Sequence, residues 1–168
     1  QQPSVNPEAC LESVRGFRRM LSVEKNPPVD AVLHCGLLPI LVEIIGSPTV
    51  NPALHFEAAW ALTNIASTDY TAKVVEAGAV PHLTMLLMSP HPDTREQAAW
   101  CLGNIAGDCT DLRDIVLQSG ALEPMIKNIT EPANTSLLAN VVWSLSNMCR
   151  GKPQPDFALI GQCVPILA

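Results

Sequence analysis

The chain has 168 residues and a formal net charge of −6 at pH 7. This balance argues against nucleic acid or an anionic membrane surface as the main partner, because both need a basic footprint, and it favours a basic ligand. Hydrophobic residues make up 48% of the sequence and aromatic residues only 4%, which is typical of helices that pack through small aliphatic side chains. The most apolar run, residues 36–45, is interrupted by Pro39 and Glu43, so no membrane span is predicted.

Six cysteines are present, and none forms a C-x-x-C pair. This pattern is interpreted as reduced thiols in a cytosolic or nuclear protein. His34 and Cys35 are adjacent, but no second cluster of metal ligands accompanies them. We therefore expect neither a metal nor another cofactor.

One phrase recurs along the chain around a glycine that is followed by a proline. Its copies occupy Val32–Ile45, Val74–Leu87 and Val116–Ile129, and their glycines are 42 residues apart each time: Gly36, Gly78 and Gly120. Glycine ends a helix well because it tolerates positive φ, and proline fits the first turn of the next helix, where its missing N–H is not needed. Each copy predicts a short helix, a turn and a second helix that opens with Pro39, Pro81 or Pro124.

A second phrase lies between these copies and holds all three tryptophans of the chain. It occupies Ala58–Ala66, Ala98–Ala106 and Val141–Cys149, and each copy has an Asn four residues after its Trp: Trp60/Asn64, Trp100/Asn104 and Trp143/Asn147. At about 100° per residue of helix, each Trp and its Asn fall on one narrow face. Ala58, Leu62 and Ile65 fall on the opposite face, as do their counterparts in the other copies. The aliphatic stripe is the natural core side, so we expect the Trp/Asn stripe to be exposed.

The two phrases alternate with a period in the low forties and without β alternation, which indicates a HEAT or armadillo array. The predicted fold is all-α: one armadillo-repeat, right-handed superhelical solenoid over residues 1–168. The repeats are placed at about 1–46, 50–88 and 92–131, with a partial final unit at 134–168. A start at Gln1 without Met, and an end partway through a helix, favour a piece of a longer array.

The first unit carries arginines where the others carry the pair. Alignment of Leu21-Ser22 with Ala66-Ser67 places Arg15 at the Trp position and Arg19 at the Asn position. Two cations there would repel a basic ligand and mark one end of its path. The alternative is that both arginines only keep the outermost helix soluble.

Three exposed Trp/Asn pairs in a row predict a groove that binds an extended peptide. The Asn amide offers a donor and an acceptor that can pair with a ligand backbone, and neighbouring indoles accept the aliphatic stem of Lys or Arg with a cation–π contribution of about 0.5–2 kcal/mol. Asp108 is the best candidate to meet a cationic head, with Glu57, Asp69 and Glu96 as weaker candidates. The residues themselves thus predict a site for a short Lys/Arg-rich segment.

The phrases Phe56–Ser67, Glu96–Asp108 and Trp143–Arg150 resemble the armadillo repeats of importin-alpha, as does E-K-N-P-P at Glu24–Pro28. The resemblance covers essentially the whole chain. It implies a nuclear import adaptor of the cytoplasm and nucleus, whose groove here is the major site for nuclear localisation signals of cargo proteins. It also implies that the three Trp/Asn pairs bind the signal and that Asp108, helped by Thr71, pairs with its most important lysine. Ser67, Gln97 and Asn140 would line neighbouring pockets.

The chain departs from that family in three places. The segment Ser67–Thr71 is about two residues shorter than the usual loop, which bears on the position of Thr71, and Val23 and Ala139 stand where Arg is common. The basic segment through which the family binds importin-beta is absent from this sequence, so that partner is not expected to bind this chain by itself.

Two other function classes are weighed against this one. Another armadillo adaptor, for a cytoskeletal or signalling partner, would read an acidic or amphipathic peptide through a basic groove, whereas the groove predicted here is acidic. An enzyme would need a nucleophile, a base and an oxyanion donor together. No motif supplies them, so the chain is not expected to be an enzyme.

Overall fold

The computed structural model describes residues 6–167, and every regular element within that range is helical. The helices are α1 (Pro7–Leu21), α2 (Val29–His34), α3 (Leu37–Gly46), α4 (Pro52–Ala66), α5 (Thr71–Glu76), α6 (Ala79–Leu86), α7 (Pro92–Asp108), α8 (Thr110–Gln118), α9 (Leu122–Thr130), α10 (Thr135–Met148), α11 (Phe157–Ile160) and α12 (Val164–Leu167). A short 3₁₀ helix, Gly161–Cys163, lies between the last two. No helix in the described range combines the length and apolar character that a bilayer crossing requires.

Local signals explain where the elements begin. Asn6, Asn51 and Asn134 cap α1, α4 and α10 by accepting a hydrogen bond from a backbone N–H of the first turn, which satisfies a donor that the helix leaves unpaired. Gly36 and Gly78 have φ values of 72° and 83° and directly precede α3 and α6, as the glycine phrase predicts. The predicted prolines lie in the first turn of the second helix of each unit.

The long helices α1, α4, α7 and α10 stand side by side, and each packs on the next. The shorter helices cover one side of this row, with α3 against α4, α6 against α7 and α9 against α10. Each unit leaves its aliphatic face to the neighbouring unit, so a continuous core runs along the solenoid. The all-helical armadillo fold is therefore confirmed. The repeat boundaries remain a prediction, and the outermost limits, residues 1 and 168, lie outside the described residues.

Candidate peptide-binding groove

The aliphatic stripes of α4, α7 and α10 are fully buried, as predicted. They consist of Ala58, Leu62 and Ile65; Ala98, Leu102 and Ile105; and Val141, Leu145 and Met148. The tryptophans on the opposite side differ from one another. Trp100 and Trp143 are 39% and 42% exposed, whereas Trp60 is partly buried. Trp100 and Trp143 are therefore exposed as expected, and Trp60 is exposed only in part.

The three asparagines are held by the preceding long helix. Asn104 donates from Nδ2 to the Thr63 carbonyl at 3.2 Å, and Asn147 donates to the Gly103 carbonyl at 2.9 Å. Asn64 donates to Ser22 Oγ at 2.9 Å and, at the 3.5 Å limit, to the Arg18 carbonyl. In each case one amide hydrogen is used inside the protein, and the bond fixes the orientation of the side-chain oxygen.

For Asn104 and Asn147 the inter-helix bond occupies one of the two amide hydrogens, so the other N–H and the side-chain oxygen remain, and pairing with both groups of a ligand backbone stays a prediction. One expectation about this face needs correction. Asn147 was expected to be exposed and is only 2% exposed, because the missing side chain of Gly103 lets α10 approach α7 closely. A Cβ at Gly103 would lie 2.3 Å from Ser144 Oγ and 2.6 Å from Cζ3 of Trp143.

An open pocket of about 340 Å³ lies where α4, α7 and α10 end. It brings together six of the predicted site residues and adds Thr68, Asp69 and Arg150; the six are Ser67, Thr71, Asn104, Asp108, Trp143 and Asn147. Asp108 is the last residue of α7 and is exposed. Helix C-termini carry partial negative charge, so three helix ends and two carboxylates outweigh the guanidinium of Arg150 and make this pocket attractive to a cation.

The loop beside this pocket is fixed by its own hydrogen bonds. Thr71 is buried, and its hydroxyl donates to the carbonyls of Ala66 and Thr68 at 3.0 and 2.8 Å. Its donor is thus used locally, and only the acceptor capacity of the hydroxyl oxygen is left for a ligand ammonium. The neighbouring Tyr70 hydroxyl donates to Asp30, which ties the short loop to the preceding repeat.

Gln97 and Asn140 lie away from this pocket. Asn140 donates to Glu96 Oε1 at 3.1 Å, and Ser136 donates to the same oxygen at 2.7 Å, so α10 holds the Glu96 carboxylate in place. Gln97 was expected on the exposed stripe and is buried, because it lies where α7 packs against its neighbours. Its side-chain oxygen has no hydrogen-bond partner among residues 6–167.

The opposite end of the groove is filled by the protein's own cations. Arg15 and Arg18 each donate from Nε to the Glu57 carboxylate at 2.8 Å, and the Arg18 guanidinium lies 4.0 Å from the centroid of the Trp60 ring. Glu57 is 4% exposed. Its burial raises the pKa, but the hydrogen bonds from Arg18 and Arg15 outweigh burial, and the Glu57 pKa is lowered. Glu57 was a weaker candidate to bind a ligand cation, but its carboxylate is already paired with Arg15 and Arg18 and is not available to a ligand.

Arg18 and Arg150 are the residues that the sequence argument missed. Both could have been found from the repeat period. Arg15 precedes Glu57 by 42 positions, Arg18 precedes Trp60 by 42, and Arg150 follows Asp108 by 42. Residues one period apart lie on adjacent repeats, so this spacing predicts side-chain neighbours across the solenoid.

Comparison with known proteins agrees with this architecture. The family described as Armadillo/beta-catenin-like repeat matches residues 25–67, 67–107 and 109–150. Among solved structures, a designed armadillo repeat protein in complex with the peptide (KR)4 matches with a TM-score of 0.77 and 26% identity, over 86% of this chain and 59% of that one. An engineered protein matches with a TM-score of 0.84 and 25% identity, over 97% and 65%. The chain therefore belongs to the armadillo-repeat family.

Sequence relatives narrow this class further. The chain is 51% identical over 149 residues to importin subunit alpha-1b of Oryza sativa subsp. japonica, covering 88% of this chain and 28% of that protein. It is 48% identical over 159 residues to importin subunit alpha-2 of Arabidopsis thaliana, covering 94% and 30%. The chain is thus an importin-alpha armadillo region, and it spans about 30% of the length of these relatives.

Proposed function

We propose that this chain is the cargo-binding region of a nuclear import adaptor, and that it binds Lys/Arg-rich nuclear localisation signals in extended conformation along the Trp/Asn face. The observation that carries the proposal is the pocket at the ends of α4, α7 and α10. Asp108 lies exposed there beside Asp69, and Trp143 lines the same wall. A lysine can place its ammonium at the carboxylates while its aliphatic stem lies along the indole.

The remaining side chains have consistent roles in this proposal. The oriented oxygens of Asn64 and Asn104 accept hydrogen bonds from the ligand backbone, and the open indoles of Trp100 and Trp143 form the slots. Alternate residues of an extended peptide point to the same side, so every second ligand residue reaches the wall. Asn147, Gln97 and Thr71 support the groove from within, while Ser67 and Asn140 lie at its edge.

The comparisons support the same reading. The relatives are named importin subunits alpha, and one structural neighbour is a designed protein in complex with the basic peptide (KR)4. We extend from them a location in cytoplasm and nucleus, cargo signals as ligands, and importin-beta as a partner of the whole adaptor rather than of this chain. Binding and release, without chemistry on the ligand, is the function proposed.

Isothermal calorimetry tests the proposal. A short Lys-rich peptide is titrated into the 168-residue chain beside an acidic peptide of equal length. We expect a one-to-one complex with the basic peptide only, and affinity that falls as salt is raised, because the charges are exposed. Absence of binding by the basic peptide, or equal binding of the acidic one, would overturn the proposal.

A further inference from the structure

We infer that the α1 end of the groove binds an acidic residue, so that the preferred ligand is a Lys/Arg-rich segment followed or preceded, about five to six residues away, by Asp or Glu. The residue assigned to this task is Arg19. The inference deepens the proposed function and rests on it.

Hydrogen-bond register places Arg19 on the Trp/Asn face. Asn147 donates to the carbonyl of the residue before Asn104, and Asn104 donates to the carbonyl of the residue before Asn64. Asn64 in turn donates to the carbonyl of the residue before Arg19. Arg19 therefore occupies, on α1, the position that the asparagines occupy on the next three long helices.

The other cations of α1 are already paired. Arg15 forms ion pairs with Glu12 and Glu57, and Arg18 pairs with Glu57 and stacks on Trp60. Arg19 is exposed, and no acidic group in residues 6–167 forms an ion pair with it. Arg19 lies in the last turn of α1, where a cation interacts favourably with the helix dipole. Because no ion pair engages it, its planar guanidinium can bind a ligand carboxylate with two hydrogen bonds.

The positive charge of the groove lining near α1 is confined to the surroundings of Arg19. A second open pocket of about 350 Å³, next to Asn64, is lined by Ser22 and Glu24 and still favours a basic or neutral ligand residue. Arg19 lies one helix beyond Asn64. The far pocket carries two carboxylates and one guanidinium, that of Arg150, and so has a net negative charge, whereas the free guanidinium of Arg19 lies at the α1 end. The two ends of the groove thus differ in polarity.

The spacing follows from the packing of helices. Adjacent long helices are taken to lie about 8–10 Å apart. The pocket around Asp108 is lined from the ends of α4, α7 and α10 and is centred on α7, so about two intervals separate it from α1. That distance of roughly 16–20 Å corresponds to about five to six residues of extended peptide at ~3.3 Å each.

Fluorescence anisotropy with matched peptides tests this inference. All peptides share one Lys-rich core with Gly/Ser tails, and a pair of residues about five to six positions from the core is Asp-Asp, Ser-Ser or Lys-Lys, on either the amino or the carboxyl side. For one side, we expect the Asp-Asp peptide to bind about two- to five-fold more tightly than the Ser-Ser peptide at low salt, in the range of exposed ion pairs. The Lys-Lys peptide should bind more weakly.

Three variants assign the effect to Arg19. Arg19→Ala should abolish the advantage of the acidic tail, and Arg19→Lys should keep part of it. Lys127→Ala, an exposed cation on α9 that lines neither groove pocket, should leave it unchanged. Equal binding of acidic and neutral tails on both sides, or an advantage that survives Arg19→Ala, would overturn the inference while the core peptide still binds. Failure of the core peptide itself would overturn the proposed function together with it.

Discussion

The two ends of the Trp/Asn face differ in whether their charged side chains are paired within the protein, and only unpaired charges are available to a ligand. At the α1–α4 end, Arg18 covers Trp60 and pairs with Glu57. At the α7–α10 end, Asp108 and Arg150 are also one period apart, yet both are exposed and no ion pair joins them. The same repeat geometry therefore yields a closed end, where the protein supplies the cation over its own indole, and an open end, where the ligand must supply it.

Charge reversal at the open end should have the largest effect. Asp108→Lys should weaken a Lys-rich peptide by about 2–3 kcal/mol, or roughly 30- to 150-fold, because it removes an attractive carboxylate and adds a repulsive ammonium. Calorimetry measures the change. Asp111→Lys, the same substitution at an exposed acid three residues away and outside the pocket, is the matched control and should cost far less. Similar losses in both variants would show that net charge alone attracts the peptide.

The indoles of the two ends can be compared directly. Trp100→Ala should reduce peptide affinity by about 1–3 kcal/mol with a smaller effect on the free energy of unfolding, because Trp100 is 39% exposed. Trp60→Ala should lower the free energy of unfolding and change peptide affinity little. Trp60 packs under Arg18 and against Phe56, whose ring centroid lies 5.5 Å from that of Trp60. Urea denaturation beside peptide titration separates the two effects. Equal profiles for both variants would remove the distinction between the ends.

Two glycines, one at each end of the groove, test how closely the long helices pack. Gly103→Ala should lower the free energy of unfolding by about 1–3 kcal/mol, because the new methyl group collides with Ser144 and Trp143. Gly16→Ala, in the middle of α1, meets no atom within 4 Å and should raise it by about 0.5–1 kcal/mol through helix propensity. Thermal unfolding of both variants checks the signs, and a tolerated Gly103→Ala would mean that α10 can move away from α7.

The closed end should lose stability in acid. The Glu57 pKa is lowered from its ordinary value of 4.5, so its ion pairs stabilise the fold above that value, and their contribution is lost as pH falls through the lower pKa of the folded state. Glu57→Gln should cost about 1–2 kcal/mol of unfolding free energy at pH 7, since it leaves the partly buried Arg18 unpaired. Urea midpoints measured at several pH values should show the difference from wild type shrinking in acid. A difference independent of pH would assign the cost to packing.

The sequence was sufficient for the fold because its signals are periodic. Glycines such as Gly36 and Gly78, and aliphatic stripes such as that of Ala58 and Leu62, depend only on local helix geometry. Contacts between repeats were harder to predict. The burial of Asn147 follows from the close approach at Gly103, and the pairing of Glu57 with two arginines follows from which residues face one another across α1 and α4. Contacts of this second kind could be predicted from residue pairs 42 positions apart. They were missed because residues were assigned to the faces of one helix at a time.

The most direct test of the account is to observe the three indoles while the peptide binds. With three tryptophans in the chain, a ¹⁵N-labelled sample gives one side-chain N–H signal for each, and single Trp→Phe variants assign them. Titration with a Lys-rich peptide should shift the signals of Trp100 and Trp143 strongly and that of Trp60 weakly. Saturation without movement of the Trp100 and Trp143 signals, or with the largest shift at Trp60, would contradict a ligand held at the open end.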